Sequence, residues 1–332
     1  MGINPVKYGI YKNKVLGCVL GTAIGDALGM PAEGMTKNEI ISNYGRIEEY
    51  LPPKNHFKNI LNAGDYTDDT EQTICLIRSI TKEGFDKNLF VKELIKWYKN
   101  NPIGIGPTSK KAIEKLINGD YSGIDSKTCG AAMRISPLGI FYYDNPKMLK
   151  EAIIEASKIT HNNSEAIAGA LTVGFLVSWC LNNSSYNNNI NINNSSESSK
   201  TFLYNHPKNF ISELVKFIRD ISEVFAEKIL LIKKIRTLDE GYELFGTGMD
   251  AIECVPSAIL TFYLTDDFKT GMINAINAGG DTDSLGSIYG AIAGTYYGIN
   301  HIPEKWVMNI NNRHYLTELG NYLFNLKFQT FK

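Results

Sequence analysis

The chain has 332 residues, 43% of them hydrophobic, enough to bury a sizeable core as one large domain or two modest ones. Its 34 Lys plus Arg balance 35 Asp plus Glu, and the formal net charge of −1 argues against partners held by bulk charge, such as nucleic acid or an anionic membrane. Five cysteines (Cys18, Cys75, Cys129, Cys180 and Cys254) are odd in number, widely spaced and lack a Cys-x-x-Cys pair, the pattern of reduced, buried thiols in a cytoplasmic protein.

Lys12 and Lys14 ahead of an apolar stretch faintly mimic a signal peptide. Gly17 and Gly21 interrupt that stretch and Asp26 follows it, so no leader is expected. Val15, Leu16, Val19, Leu20, Ala23, Ile24, Ala27 and Leu28 instead follow helical spacing. Gly17, Gly21, Gly25 and Gly29 recur every fourth residue and place a smooth strip on one face of this helix. Ile74, Ile77 and Ile80 predict a second helix, after an acidic start at Thr67-Asp68-Asp69-Thr70. Residues 166–181 are apolar nearly all round, which predicts a helix in the middle of a bundle.

The stretch Asn182 to Lys200 is almost wholly Asn and Ser and is expected to be a mobile surface insertion. Gly280-Asp281-Thr282-Asp283-Ser284 then opens a last glycine-spaced segment, with Gly286, Gly290, Gly294 and Gly298. A helix loses about 1 kcal/mol for each Gly in place of Ala, so eight of them imply close backbone packing in the centre, of each ladder against a neighbour or of one ladder against the other. Strand alternation is scarce and no apolar window reaches about 18 uninterrupted residues, so no membrane span is expected. The fold class is all-α: one compact multi-helix domain over residues 1–332, carrying the insertion.

The two acidic motifs admit two readings. Asp68-x-x-Glu71 matches a capping box, and Asp281 matches an N-cap, so both could be plain helix starts. Adjacent Asp68 and Asp69, however, repel each other, which a cap does not require and a divalent cation relieves. Hard oxygen donors without nearby His or Cys suit Mg²⁺ or Mn²⁺ rather than zinc or copper. Glu33 follows the first glycine-rich helix, where a carboxylate is poorly placed for the helix dipole.

In chain order, GTAIGDALGMPAE, YTDDTEQT, CGAAMRISPLGIFY, THNNSEAIAGAL and NAGGDTDSLGSIYGAIAG closely resemble the ADP-ribosylglycohydrolase family, from about Val15 to Ile302. The resemblance implies an all-α fold with two divalent cations, Mg²⁺ or Mn²⁺, in a central cleft. By position, Thr67, Asp68, Asp69, Asp281, Asp283 and Ser284 match its metal ligands, and Glu33 matches the acid that serves the attacking water. Gly104 and Gly106 resemble a loop along the diphosphate. Gly130, Ala131 and Ala132 match a second close-approach segment, and His161 matches a histidine beside the substrate. Cys129 stands where many relatives have Asn.

The expected activity is hydrolysis of the bond joining ADP-ribose to an acceptor, a protein side chain or a small molecule. Five carboxylates against two divalent ions leave a small negative charge, suited to an oxocarbenium-like ribose. The acceptor is expected to be arginine, serine or an acetyl group, with arginine preferred, and the enzyme is expected to be a monomer. Two other readings stay open: an ADP-ribose-binding protein without turnover, and a dimetal diphosphate hydrolase releasing AMP.

Overall fold

A computed structural model describes residues 5–183 and 210–329. Of the expected insertion, residues 184–200 lie outside the described residues. Helix accounts for 68% of the chain, in sixteen α-helices among the described residues, and the all-α expectation holds. The first half holds α1 (Pro5–Gly29), α2 (Lys37–Tyr44), α3 (Asp68–Arg78), α4 (Lys87–Tyr98), α5 (Pro107–Ile117), α6 (Ser136–Phe141), α7 (Pro146–Lys158) and α8 (Ser164–Asn182). The second holds α9 (Phe210–Ile218), α10 (Glu223–Leu231), α11 (Leu238–Phe245), α12 (Ala251–Leu264), α13 (Phe268–Ile276), α14 (Thr282–Tyr297), α15 (Glu304–Asn309) and α16 (Arg313–Phe328). One antiparallel hairpin, β1 (Ile80–Thr81) with β2 (Gly84–Phe85), pairs Ile80 with Phe85. Ile80, placed by periodicity on α3, therefore begins a strand, because the helix stops at Arg78.

The centre is an antiparallel pair, α1 against α14, that touches backbone to backbone. A Cβ added at Gly17, Gly21 or Gly25 would fall 2.2, 2.3 and 2.0 Å from the carbonyl oxygens of Gly294, Gly290 and Gly286. In return, a Cβ at Gly286, Gly290 or Gly294 would fall 2.4, 2.0 and 2.0 Å from the oxygens of Gly25, Gly21 and Gly17. No side chain fits in such gaps, which is why both ladders are glycine. The fourth rungs differ from their expected role. Gly29 packs on the Thr282 carbonyl, while Gly298 lies beyond α14 at φ +81° and ends it.

Other helices wrap this pair. α8, predicted as a core helix, is buried over most of its length, and Asn163 caps its start by accepting from Glu165 N–H at 2.9 Å. Its last turn meets the buried Lys14 of α1, whose ammonium donates to the Cys180 and Leu181 carbonyls. Burial lowers that ammonium to about 8, and the exposed carbonyls of a helix end favour a cation there. By length and composition, Pro5–Ala32 and Ser164–Asn182 could each cross a membrane, yet 94% and 83% of their apolar windows are buried in the bundle. All five cysteines are free and buried, as expected.

The ladder contact yields a paired prediction. Gly290→Ala should lose about 1–3 kcal/mol of stability through overpacking, despite its better helix propensity. Gly9→Ala, on the same helix as the first ladder but with nothing within 4 Å of its Cβ, should gain up to about 1 kcal/mol. Urea unfolding of both variants checks the contrast; equal effects would refute the close contact.

Candidate active site

The antiparallel pairing puts the C-terminal end of α1 beside the N-terminal end of α14. Thr282 Oγ1 donates to the Gly29 carbonyl at 2.8 Å, fixing the two ends in register. Gly279 and Gly280, both with positive φ (+85° and +79°), turn the chain into α14. There Gly280 N–H donates to Met35 O and Gly34 N–H to Gly280 O, both at 2.8 Å. Asp281 N–H donates to Thr247 O at 2.7 Å. These bonds set Glu33, after the short 3-10 turn Met30–Ala32, against Asp281 and Asp283. Oxygens of Glu33, Asp281 and Asp283 lie within 4.8 Å of one another.

Asp26, a residue the motif reading passed over, brings in the first acidic motif. Buried in the last turns of α1, it accepts from Thr67 N–H at 2.9 Å and Thr70 N–H at 3.0 Å, and from both threonine hydroxyls. It thereby caps α3 from another helix. Thr67 and Asp281 are the N-cap residues of α3 and α14, and neither makes a side-chain cap bond. The helix-start reading is right about position and wrong about what the side chains do. With Asp26 satisfying the helix end, Asp68 and Asp69 are released for other work.

These acids are buried without counterions. Asp26, Asp68, Asp69, Asp281 and Asp283 are all under a tenth exposed, and among the described residues no Lys, Arg or His nitrogen lies within 4.0 Å of their oxygens. Glu33 meets His56 Nε2 at 3.5 Å. Asp69 Oδ1 has no hydrogen-bond partner at all. Burial raises Asp68, Asp69 and Asp283 well above the ordinary carboxylate range, with neighbouring carboxylates adding to the rise. Burial likewise pushes Asp26 to about 6, despite its four hydrogen bonds. Glu33 is raised to about 7 by burial and the charge of Asp281, against a lowering hydrogen bond with Asp283. An orphaned carboxylate oxygen and an all-oxygen, counterion-free donor set fit a divalent hard cation.

The acids open onto a cavity of about 260 Å³. Glu33, Asp68, Asp69, Asp281, Asp283 and Ser284 line it together with Gly104, Gly106, Cys129, Gly130 and His161. Thr67 stands behind the acids, held by Asp26, and Ala131 and Ala132 lie fully buried behind Gly130, off the cavity. Gly104 needs its positive φ of +82°, and Gly106 N-caps α5, whose first N–H groups face an anion favourably. His161 packs on Gly130, where an added Cβ would meet its ring at 2.7 Å. Its Nδ1 bonds Thr160 Oγ1 at 2.8 Å and its Nε2 bonds Thr128 Oγ1 at 3.0 Å. Burial, with Arg134 nearby, drops it to about 3, so it stays neutral.

Arg134, fully buried, is a further residue that the motifs did not single out. It donates to Gln72, whose amide donates to Asp68 Oδ2 at 2.6 Å, and to Thr160 Oγ1 at 2.6 Å. One cation thus braces both walls of the cavity. Only its flanking small residues in Gly-Ala-Ala-Met-Arg gave a signal of close packing there.

A sequence profile of the ADP-ribosylglycohydrolase family matches residues 8–330. An uncharacterized protein of Archaeoglobus fulgidus is 33% identical over 97% of this chain and 99% of its own length. The ADP-ribosyl-[dinitrogen reductase] glycohydrolase of Rhodospirillum rubrum is 27% identical, with 90% of each chain covered. A solved structure of an ADP-ribosylglycohydrolase-related protein complex superposes with a TM-score of 0.75 at 26% identity, covering 96% of this chain and 99% of that one.

Raised carboxyls make a stability prediction with a definite sign. Between their ordinary range near 4 and about 7 for Glu33, the folded metal-free chain holds protons that the unfolded chain has lost. Its stability should therefore fall as pH rises through that window. Mg²⁺ or Mn²⁺ binds the ionised form, so its stabilisation should grow over the same range. Melting curves with chelator and with metal, at about pH 5 and about pH 7, check both trends. Curves indifferent to both would contradict the cluster.

Proposed function

The chain belongs to the ADP-ribosylglycohydrolase family, a family of glycosidase-type hydrolases acting on ADP-ribose conjugates, and from that premise we propose a metal-assisted cleavage of protein-linked ADP-ribose. The observation that carries the proposal is the cluster of buried carboxylates, without counterions, facing a glycine-lined cavity. Asp68, Asp69, Asp281, Asp283 and Ser284 would hold two divalent cations, with Mg²⁺ the first candidate and Mn²⁺ the second; Thr67, its hydroxyl proton given to Asp26, would offer an ion only an oxygen lone pair. Such ions would supply charge that offsets the carboxylates and sites for ribose hydroxyls and the water.

Glu33 is the outermost of the acids, its side chain 15% exposed, and is reached from the cavity. A carboxylate reached from the cavity can take a proton from water and give it back, as a general base requires. Glu33 would accept the proton of the attacking water as oxygen bonds to the anomeric carbon. The bond to the acceptor breaks, the acceptor takes up the proton, and ADP-ribose leaves intact. The surplus of carboxylates around that carbon favours positive charge developing on the ribose.

Gly104, Gly106 and the first turn of α5 would receive the diphosphate, since backbone N–H groups and the helix dipole favour an anion there. Gly130 lets the neutral ring of His161 pack against the backbone beside the ribose position, and the bonds of that ring to Thr160 and Thr128 hold the wall in place. Arginine is the acceptor linkage favoured here, because a guanidinium is drawn to the acidic mouth at Glu33.

Asp283→Asn should abolish release of ADP-ribose while leaving the helical signal intact. Glu33→Gln should lower kcat by about 10²–10⁴ yet keep the rise in Tm on adding metal. ADP-ribosyl-arginine, ADP-ribosyl-serine and O-acetyl-ADP-ribose, each followed by mass spectrometry, test the acceptor. Release of AMP would point to diphosphate cleavage, and binding without any release to a non-enzymatic role. Wild-type-like turnover by Asp283→Asn would overturn the proposal.

A further inference from the structure

Next to the oxygen ligands of the cavity, the chain assembles a second set of ligands of different chemistry. The Sγ atoms of Cys129 and Cys254 and an oxygen of Asp281 lie within 4.8 Å of one another, and all three residues are buried. Cys129 Sγ donates to Asp281 Oδ2 at 3.0 Å. Among the described residues, the other such set of three is Glu33, Asp281 and Asp283. Asp281 belongs to both.

We propose that Cys129, Cys254 and Asp281 form a thiolate-containing subsite that captures Zn²⁺ and draws Asp281 away from the hard-cation ligands. A tetrahedral zinc ion holds sulfur at about 2.3 Å and carboxylate oxygen at about 2.0–2.2 Å, so its ligand atoms stand about 3.5–3.8 Å apart. The three atoms lie within 4.8 Å of one another, with Cys129 Sγ and Asp281 Oδ2 at 3.0 Å, so they reach that spacing by shifts of about an ångström or less. Two thiolates with a carboxylate suit a borderline-soft ion far better than they suit Mg²⁺.

The site is preorganised because one short segment holds all three ligands. Cys129 N–H donates to Met249 O at 2.8 Å, Asp281 N–H to Thr247 O at 2.7 Å, and Ala251 N–H to Lys127 O at 2.8 Å. Thr128 also bridges Asp250, and Cys254 follows in the first turn of α12. Cys129 and Asp281 line the cavity, which supplies an entry route and leaves a fourth position for water. Without the ion both buried thiols carry their protons, that of Cys129 directed at Asp281 Oδ2. Capture of Zn²⁺ releases those two protons to solvent and leaves a zinc dithiolate carboxylate of charge −1.

Capture depends on the three side chains alone, whereas its effect on turnover rests on Asp281 being a hard-cation ligand as proposed above. The test uses Co²⁺ as a spectroscopic probe for the zinc position, in the presence of excess Mg²⁺, with the wild-type chain, Cys254→Ser and Cys129→Asn. The wild type should show the near-ultraviolet thiolate-to-cobalt absorption, abolished by added Zn²⁺ and missing from both variants. In parallel, Zn²⁺ should inhibit ADP-ribose release by the wild type. Cys254→Ser, active without zinc, should need at least about tenfold more Zn²⁺, the scale of loss seen when a metal site loses even an outer partner.

A wild-type chain with no thiolate absorption, or absorption that survives in both variants, would overturn the subsite. Absorption as expected but turnover indifferent to Zn²⁺ would instead refute the role given to Asp281. Circular dichroism of the two variants shows that each is folded, and either folded variant alone decides the spectroscopic question.

Discussion

At three successive levels of the bundle, a carbonyl oxygen of α1 occupies the place where a side chain of α14 would begin, and the reverse holds at the same levels. That mutual exclusion of side chains is the constraint from which the rest follows. It limits the register of two helices whose sequences lie more than 250 residues apart to steps of one turn, and it does so through rigid backbone rather than adaptable side chains. Because the pair is antiparallel, the end of one helix meets the start of the other. Glu33 and Asp26 come from that end; Asp281 and Asp283 come from that start. A slip of one turn along the ladder would keep glycine facing glycine over most of the contact but separate the acids, and the Thr282 bond to Gly29 opposes it.

The electrostatic consequence is a group of acids buried together, of which only the outermost, Glu33, meets a basic side chain, His56. Left alone, such a group holds protons or loosens. The chain spends one of its acids differently: Asp26 satisfies the open start of α3 with two backbone and two hydroxyl bonds. That frees Asp68 and Asp69 from capping, and leaves Asp69 Oδ1 without a partner. On the far wall, Arg134 holds Gln72 and Thr160, so that the positions of Asp68 and His161 are set by one buried cation rather than by loops. Fold and site are one design here, since the same polar bonds that close the helix ends aim the ligands.

Much of this was legible in the chain. Glycine every fourth residue announced backbone contact, since nothing else repays eight glycines in helices. The all-apolar stretch before the Asn/Ser run announced a core helix. The two acidic motifs and Glu33 were legible as a set, and Gly104, Gly106, Gly130 and His161 were placed on the same cavity through the family resemblance. Other features had no local signature. Asp26 reads as an acid ending an apolar run, and its role is set by α3, forty-one residues on. Ala131 and Ala132 share a motif with Gly130 but point their small side chains into the core. Gly298 keeps the spacing of its ladder yet lies past the helix end, because periodicity does not register a change of φ. Cys254 looks like any core cysteine until Cys129 and Asp281 are brought beside it.

Everything proposed for the site requires that the two acidic motifs, brought together by the glycine contact, hold paired cations. Crystals of the protein grown with Mn²⁺, with data collected at the manganese absorption edge, ask this directly. Two anomalous peaks are expected, about 3.5–4 Å apart, bounded by Asp68 and Asp69 on one side and Asp281 and Asp283 on the other. Well-ordered crystals showing these side chains but no anomalous density among them would contradict it.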